Sequence, residues 1–230
     1  MIYGYETPFT LLLAVVGFII VIGAQGTITS AYNKYKKQKN KKNMTGSDVA
    51  HLILEKNGLS NIYVVETQGN LTDHYDPNRK VVKLSTEIFH GNTIAAISVA
   101  AHECGHAIQD KEGYTFMKIR SFLVPFVNFI SYLGYLGLLI SLFAGATGYF
   151  KVSILVILAT LLFQLVTLPV EFNASSRAKE ELKKFGVTDK SEDEDVSKML
   201  TAAAYTYVAS VISSLLSLLR IVLMMNRDND

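Results

Sequence analysis

The sequence predicts an α-helical membrane protein with four spans and a small α+β part outside the bilayer. Two observations lead to this fold class. Half of the 230 residues are hydrophobic and only 18% are charged, whereas an average soluble domain has about 25% charged residues. The apolar residues are also concentrated in four long blocks, separated by segments of mixed composition. A chain with this distribution is expected to cross a membrane several times.

Each of the four blocks is long enough to span a bilayer, which requires about 20 mostly apolar residues in a helix. A single block of this kind could be a buried core helix, but four of them in one chain favour membrane spans. The first block is longer than the apolar core of a signal peptide and has no clear cleavage site after it, so we expect an uncleaved anchor. The blocks comprise residues 9–28, 122–143, 152–170 and 205–225.

The distribution of lysine and arginine predicts the orientation of the spans, because the cytoplasmic loops of membrane proteins carry an excess of these residues. Residues 30–120 hold 13 Lys+Arg and residues 171–204 hold six. Outside the spans, the other side holds only Lys151 and Arg227. We therefore expect both long connections in the cytoplasm, and both termini and the loop between the second and third spans on the opposite side.

This topology divides the chain into five parts. The net charge is +2 and no basic patch interleaves with aromatic residues, which argues against a nucleic-acid partner. The lipid bilayer is the expected environment, and nothing in the sequence indicates an oligomeric state. The parts are a first span (1–29), a main cytoplasmic segment (30–120), a two-span hairpin (121–170), a cytoplasmic helix (171–204), and a fourth span with a short tail (205–230).

Local signals predict a helix, a short sheet and a second helix within the main cytoplasmic segment. Residues 45–59 have an amphipathic pattern, with a threonine or serine to cap the start and a glycine to end the helix. Residues 61–67 are rich in β-branched side chains, and residues 69–85 are typical of a strand, a turn and a strand. Residues 92–113 form the second helix, which ends near a glycine.

The second helix carries the sequence HECGH, which fits the H-E-x-x-H pattern at His102, Glu103 and His106. Residues four apart on a helix share one face, so both imidazoles can approach one metal ion. Two neutral imidazoles suit zinc, and Glu103 beside them can act as the general base for a water that the metal activates. The predicted fold therefore has four spans and a small zincin-like α+β cytoplasmic part that carries an HExxH helix.

The two residues between this glutamate and the second histidine have simpler interpretations. Cys104 lies on a different face from the histidines and is expected to be a small buried side chain rather than a ligand. Gly105 lowers helix stability by about 1 kcal/mol relative to alanine. A glycine at this position is explained if another backbone packs closely against the same helical turn.

A catalytic zinc ion usually has three protein ligands, so two histidines are not sufficient. The candidates for the third are Asp73, His74, Asp76 and Glu171. Glu171 follows a span that is expected to run towards the cytoplasm, so it emerges on the same face as the HECGH helix. Two histidines and a glutamate from a separate helix form a known catalytic zinc site. Glu171 is therefore the favoured third ligand, with a simple interfacial carboxylate as the alternative.

The stretches LTDHYDP, ISVAAHECGHAIQ, PVEFNASSRA and AAAYTYVA are distributed over nearly the whole chain. Through them the chain resembles the YugP-like neutral zinc metallopeptidases of bacterial membranes. It is more distantly similar to HtpX-type membrane endopeptidases, in which a span hairpin also separates HExxH from a helix with a ligand glutamate. The resemblance implies that His102, His106 and Glu171 bind zinc, that Glu103 is the catalytic base, and that the protein hydrolyses peptide bonds.

The resemblance also implies a bacterial membrane, expected to be the cytoplasmic membrane, and the lysine and arginine distribution predicts that the catalytic part faces the cytoplasm. From this position we expect protein or peptide substrates that are membrane proteins or that reach the cytoplasmic face. One position departs from the HtpX-type pattern. Those proteins carry an aspartate four residues after the ligand glutamate, and this chain has Ser175 there. Any role of that aspartate in orienting a histidine must therefore be filled in another way.

Further residues are candidates for supporting roles. His74, Tyr75 and Arg177 could donate a hydrogen bond to the oxyanion of the transition state. Arg177 is also expected to pair with a carboxylate such as Asp73. The strand at residues 71–75 could bind an extended substrate by adding a strand to the sheet edge.

Other classes of function compete with the peptidase interpretation. A non-catalytic metal-binding membrane protein, such as a scaffold or a metal transporter, would also need metal ligands. A transporter, however, places its ligands near the middle of the bilayer, and no span interior here holds a histidine or a carboxylate. Glu103 is the best discriminator, because a pure binding site has no need of a base. A protease with HExxH inside a span is disfavoured because the segment around the motif is too short and too polar.

Overall fold

The structure is a computed structural model that describes residues 7–144 and 149–226. Arg227 and the centre of the predicted 144–151 loop lie outside these ranges. The described elements, in chain order, are α1 (Pro8–Tyr35), α2 (Gly46–Lys56), β1 (Tyr63–Thr67), β2 (His74–Asp76), β3 (Val81–Ser85), α3 (Thr86–His90), α4 (Ile94–Glu112), α5 (Thr115–Ala144), α6 (Tyr149–Lys184) and α7 (Lys190–Asn226).

Four of these helices, α1, α5, α6 and α7, are long and apolar enough to cross a membrane. This confirms the predicted number of spans and a multi-pass membrane protein. The helices are longer than the predicted apolar blocks because polar residues continue the same helix beyond them. The segment 171–204 in particular does not form one helix. Gly186, in the left-handed region at φ +63°, ends α6, and α7 begins at Lys190.

The described chain folds into two compact units. One consists of the described parts of Met1–Gln25, Ile119–Leu168 and Thr206–Asp230. Many large apolar side chains of this unit are exposed, such as Phe18 and Phe122, each 66% exposed. Exposed apolar surface on this scale is typical of helices that contact lipid.

The other unit consists of Gly26–Lys118 and Pro169–Tyr205. Its sheet has the strand order β1-β3-β2, in which β3 pairs in parallel with β1 and antiparallel with β2. Strand β2 is therefore an edge strand of this sheet. The core is formed by apolar side chains of α2, β3 and α4, including Ile53, Val82, Leu84 and Ile97, all fully buried. The helix–sheet–helix order agrees with the sequence, apart from the additional short helix α3.

Candidate metal centre

Helix α4 contains the whole HECGH sequence, and local signals define both of its ends. At the start, the Thr93 side chain accepts a hydrogen bond from the backbone N–H of Ala96, which satisfies a donor that the first turn leaves free. At the end, Gly113 adopts the left-handed conformation at φ +66° and its N–H bonds back to the last turn. Between these ends, His102 and His106 lie on one face, with their ring centroids 4.8 Å apart.

Three potential ligands converge at this face. One ligand atom from each of His102, His106 and Glu171 lies within 4.8 Å of the other two. The Oε2 atom of Glu171 is 3.2 Å from Nε2 of His102 and 3.7 Å from Nε2 of His106. Glu171 is 2% exposed, and burial of a carboxylate to this degree is unfavourable without a positive partner. Helix α6 brings this carboxylate to α4 at the point where the predicted third span ends.

The Nδ1 atom of each histidine, on the opposite side of the ring from Glu171, also has a hydrogen-bond partner. His102 Nδ1 is 3.2 Å from the Ser175 hydroxyl, and His106 Nδ1 is 3.0 Å from Oε1 of Gln109. Partners of this kind fix the ring orientation and leave Nε2 to face the metal. Ser175 thus itself contacts a histidine from the position where the HtpX-type pattern has an aspartate.

The donor set fits a zinc ion. Two imidazole nitrogens and one carboxylate oxygen match the three-ligand sites of catalytic zinc. The site is enclosed, since His106 and Glu171 are buried and His102 is half-buried. The two imidazole ligands also disfavour a hard cation such as Ca²⁺ or Mg²⁺, which prefers oxygen ligands.

Glu103 lies beside this group and is also buried. Its Oε2 atom accepts a hydrogen bond of 3.0 Å from the backbone N–H of Tyr75 in β2. Burial, assisted by the nearby charges of Glu171 and Asp73, raises the pKa of Glu103 to about 7. A carboxyl group with such a pKa can both accept and release a proton near neutral pH.

Gly105 lies where the backbones of α4 and α6 meet. A Cβ atom at Gly105 would lie 2.6 Å from the carbonyl oxygen of Ala174, a separation too short for any real contact. The expectation that another backbone packs against this turn is therefore confirmed. Cys104, on a different face, is fully buried in the core, and burial raises the pKa of its thiol, which agrees with a structural role.

The other candidates for the third ligand are used elsewhere. Asp73 accepts hydrogen bonds from the backbone N–H and the hydroxyl of Ser85, at 2.7 and 3.0 Å. Asp76 accepts two backbone N–H groups of its own turn. His74 is exposed on the edge strand, with Nδ1 2.8 Å from the carbonyl oxygen of Thr72. Among the described residues, Glu171 is therefore the carboxylate grouped with the two histidines.

The predicted pairing of Arg177 with Asp73 is wrong. Arg177 instead forms an ion pair of 2.6 Å with Glu112, and its Nε donates to Oδ1 of Asn173 at 2.7 Å. The reason is helical geometry, because Arg177 lies one turn after Asn173 on the face of α6 that meets the end of α4. The hydroxyl of Tyr75, another candidate oxyanion donor, is used in a hydrogen bond of 2.7 Å to Asp110.

Sequence reasoning missed two residues of the site, Gln109 and Asn173. Gln109 follows His106 by three positions, a spacing that places both on one helical face, and this signal could have identified it. Asn173 offers no such signal, because it lies on a different helix from Gln109 and 64 residues after it in sequence.

A family model and a known protein both match this chain over most of its length. A model of the family described as "Putative neutral zinc metallopeptidase" matches residues 10–226. The "Putative membrane protease YugP" of Bacillus subtilis (strain 168) is 42% identical over 207 residues, which is 90% of this chain and 92% of that protein. No solved structure matches the chain. The resemblance to YugP-like proteins is thus confirmed, zinc is the cofactor, and the chain belongs to this family of membrane zinc metallopeptidases.

Proposed function

We propose that the protein is a zinc-dependent metalloendopeptidase of the HExxH-plus-glutamate type, with a zincin-like catalytic part that cleaves protein substrates at the cytoplasmic face of the membrane. The observation that carries this proposal is the convergence of His102, His106 and Glu171 beside the buried carboxylate of Glu103. The two histidines and Glu171 hold the metal, and Glu103 is the general base. The family description and the name of the Bacillus relative support the reaction class.

The residues of the chain divide the chemistry of amide hydrolysis among them. A bound zinc ion would polarise the scissile carbonyl and lower the pKa of the attacking water. Glu103 accepts a proton from that water and passes it to the leaving amine. Of the three candidate donors to the oxyanion, His74 is favoured, because the Tyr75 hydroxyl and the Arg177 guanidinium are engaged with Asp110 and Glu112.

The edge strand β2 supports an extended mode of substrate binding. Strand β2 pairs with β3 on one side, and the Tyr75 N–H points away from β3 to the Glu103 carboxylate. An extended peptide that pairs with the remaining backbone groups on this side of β2 would therefore lie next to the general base. The lysine and arginine excess of residues 30–120 supports a cytoplasmic location for this edge.

Bound metal is the first test. Elemental analysis of the detergent-purified protein should give about one zinc per chain for the wild type and a large loss for Glu171→Gln. Glu180→Gln, an exposed glutamate on the same helix, is the matched control and should keep its zinc. Full zinc retention in Glu171→Gln would contradict the assigned ligand set.

Cleavage is the second test. The wild type should cleave an unstructured protein such as fluorescein-labelled casein, and Glu103→Gln should be slower by about 10²- to 10⁴-fold while it retains zinc, as is typical for the loss of a general base. A zinc-loaded wild type with no cleavage of casein or of detergent-solubilised membrane proteins would favour the alternative, a non-catalytic metal-binding membrane protein.

A further inference from the structure

We propose that Gln109 is a positioning residue that holds His106 in the tautomer with the proton on Nδ1, so that the Nε2 lone pair faces the zinc site. The inference rests on the proposed function, because it assumes that His106 is a zinc ligand. It adds a second role, in which Gln109 ties the ligand helix α4 to the part of α6 that carries Glu171.

The side chain of Gln109 is fully buried and its amide contacts three groups. Its Oε1 is 3.0 Å from His106 Nδ1. Its Nε2 donates to the carbonyl oxygen of Val170 at 2.8 Å and to Oδ1 of Asn173 at 3.0 Å. Both amide hydrogens and the amide oxygen are therefore used, at a side chain that solvent does not reach.

The surrounding groups determine the positions of the oxygen and the nitrogen of the Gln109 amide. The Val170 carbonyl can only accept a hydrogen bond. The Asn173 amide presents its oxygen because Arg177 Nε, which can only donate, lies 2.7 Å from it. Gln109 must then direct its NH₂ group at these two acceptors, which leaves its oxygen for His106. Because the Gln109 oxygen can only accept a hydrogen bond, Nδ1 of His106 must carry the proton.

These contacts also determine that Nε2 of His106 carries no proton. A neutral imidazole with a proton on Nδ1 has its lone pair on Nε2, and Nε2 is the atom that lies 3.7 Å from the Glu171 carboxylate. His102 differs, because its Nδ1 meets the Ser175 hydroxyl, which can either donate or accept. The tautomer of His106 is thus fixed by groups that can only accept or only donate a hydrogen bond, whereas the tautomer of His102 is not.

Gln109 also connects the two elements that supply the ligands. It contacts His106 on its own helix, and on α6 it bonds to Val170, the residue immediately before Glu171. Loss of the amide would leave the Val170 carbonyl and His106 Nδ1 without this partner. We therefore expect zinc binding to weaken even when the fold persists.

The test compares Gln109→Met, which keeps the volume and removes all three hydrogen bonds, with Ser98→Ala. Ser98 is also fully buried on α4, and its hydroxyl donates a hydrogen bond to the Ile94 carbonyl oxygen of the same helix. Competition with a zinc-chelating dye should show a 10- to 100-fold weaker zinc affinity for Gln109→Met and less than a twofold change for Ser98→Ala. Thermal unfolding of both variants checks that the fold is retained.

A spectroscopic measurement reports the tautomer itself. In metal-free protein labelled with ¹⁵N-histidine, at a pH where the rings are neutral, the His106 signals should report a proton on Nδ1 in the wild type and a shift towards Nε2 in Gln109→Met. Equal zinc affinities for Gln109→Met and Ser98→Ala, or an unchanged tautomer, would overturn the inference. A wild type that binds no zinc but keeps the Nδ1 proton would instead contradict the proposed function.

Discussion

Helices α4 and α6 both carry residues of the candidate metal centre, but they are built in opposite ways. Helix α4 has 19 residues, of which 14 are buried, so it is surrounded by protein on nearly every side. Helix α6 has 36 residues, and its first half exposes large apolar side chains such as Leu155 and Leu162, whereas Glu171 is buried. The apolar residues of α4 form a protein core, and those of the first half of α6 suit lipid. Glu171 lies after the lipid-suited first half of α6, in the part of that helix that is buried by protein.

The largest effect is expected where the two helices touch. Gly105→Ala would place a Cβ atom against the backbone of Ala174, and backbone cannot move as a flexible side chain can. Overpacking of this kind usually destabilises by about 1–3 kcal/mol, more than the gain of about 1 kcal/mol in helix propensity. We expect a lower midpoint of thermal unfolding and weaker zinc binding for Gly105→Ala.

Gly26→Ala on α1 provides the matched control for this substitution. No atom of the described residues lies within 4 Å of a Cβ atom at Gly26, so the gain in helix propensity is unopposed there. Gly26→Ala should leave the unfolding midpoint equal or higher and zinc binding unchanged. If both alanine variants behave alike, the contact between α4 and α6 does not constrain the site.

The same comparison explains how much of the site could be predicted from the sequence. The two histidines and Glu103 are local to one helix, so their spacing alone predicts a shared face. Glu171 was predicted from topology, because the end of an apolar block marks the side of the membrane. The contacts of Gln109 with Val170 and Asn173, and of Arg177 with Glu112, could not be predicted, since they depend on the rotation of α6 about its axis against α4, which no local pattern encodes.

The next effect concerns the residue of α6 that contacts a histidine of α4. Ser175→Ala removes the hydroxyl that lies 3.2 Å from His102 Nδ1, and such partners usually contribute 10- to 100-fold to metal affinity. We expect the low end, about tenfold in the zinc dissociation constant, because a hydroxyl is a weaker partner than a carboxylate. Competition with a zinc-chelating dye measures this dissociation constant, and Ser176→Ala, at an exposed serine of the same helix, is the control. Unchanged affinity in Ser175→Ala would mean that His102 is oriented by packing alone.

A smaller effect is expected at the start of α4, which depends on its own capping residue. Thr93→Ala removes the side chain that accepts the Ala96 N–H at 3.2 Å, and loss of a cap usually reduces stability by about 1 kcal/mol. Thr45→Ala removes the corresponding cap of α2, where Asp48 completes a capping box. Chemical denaturation should show a similar loss for both variants, with no change in zinc affinity for either.

The smallest effect is expected at the surface, where Arg177 of α6 meets Glu112 of α4. The guanidinium lowers the pKa of the Glu112 carboxyl, so the folded state binds its proton less tightly than the unfolded state does. The stabilisation from this pair is therefore complete above the ordinary pKa of about 4.3 and decreases as the pH falls through the lower, folded value. The Glu112 side chain is 52% exposed, and exposed pairs contribute little. Unfolding midpoints of wild type and Glu112→Gln should thus differ slightly at pH 7, and the difference should shrink as the pH is lowered below about 4. A large difference at pH 7 would mean that the surface pair, rather than the buried contact at Gly105, holds the two helices together.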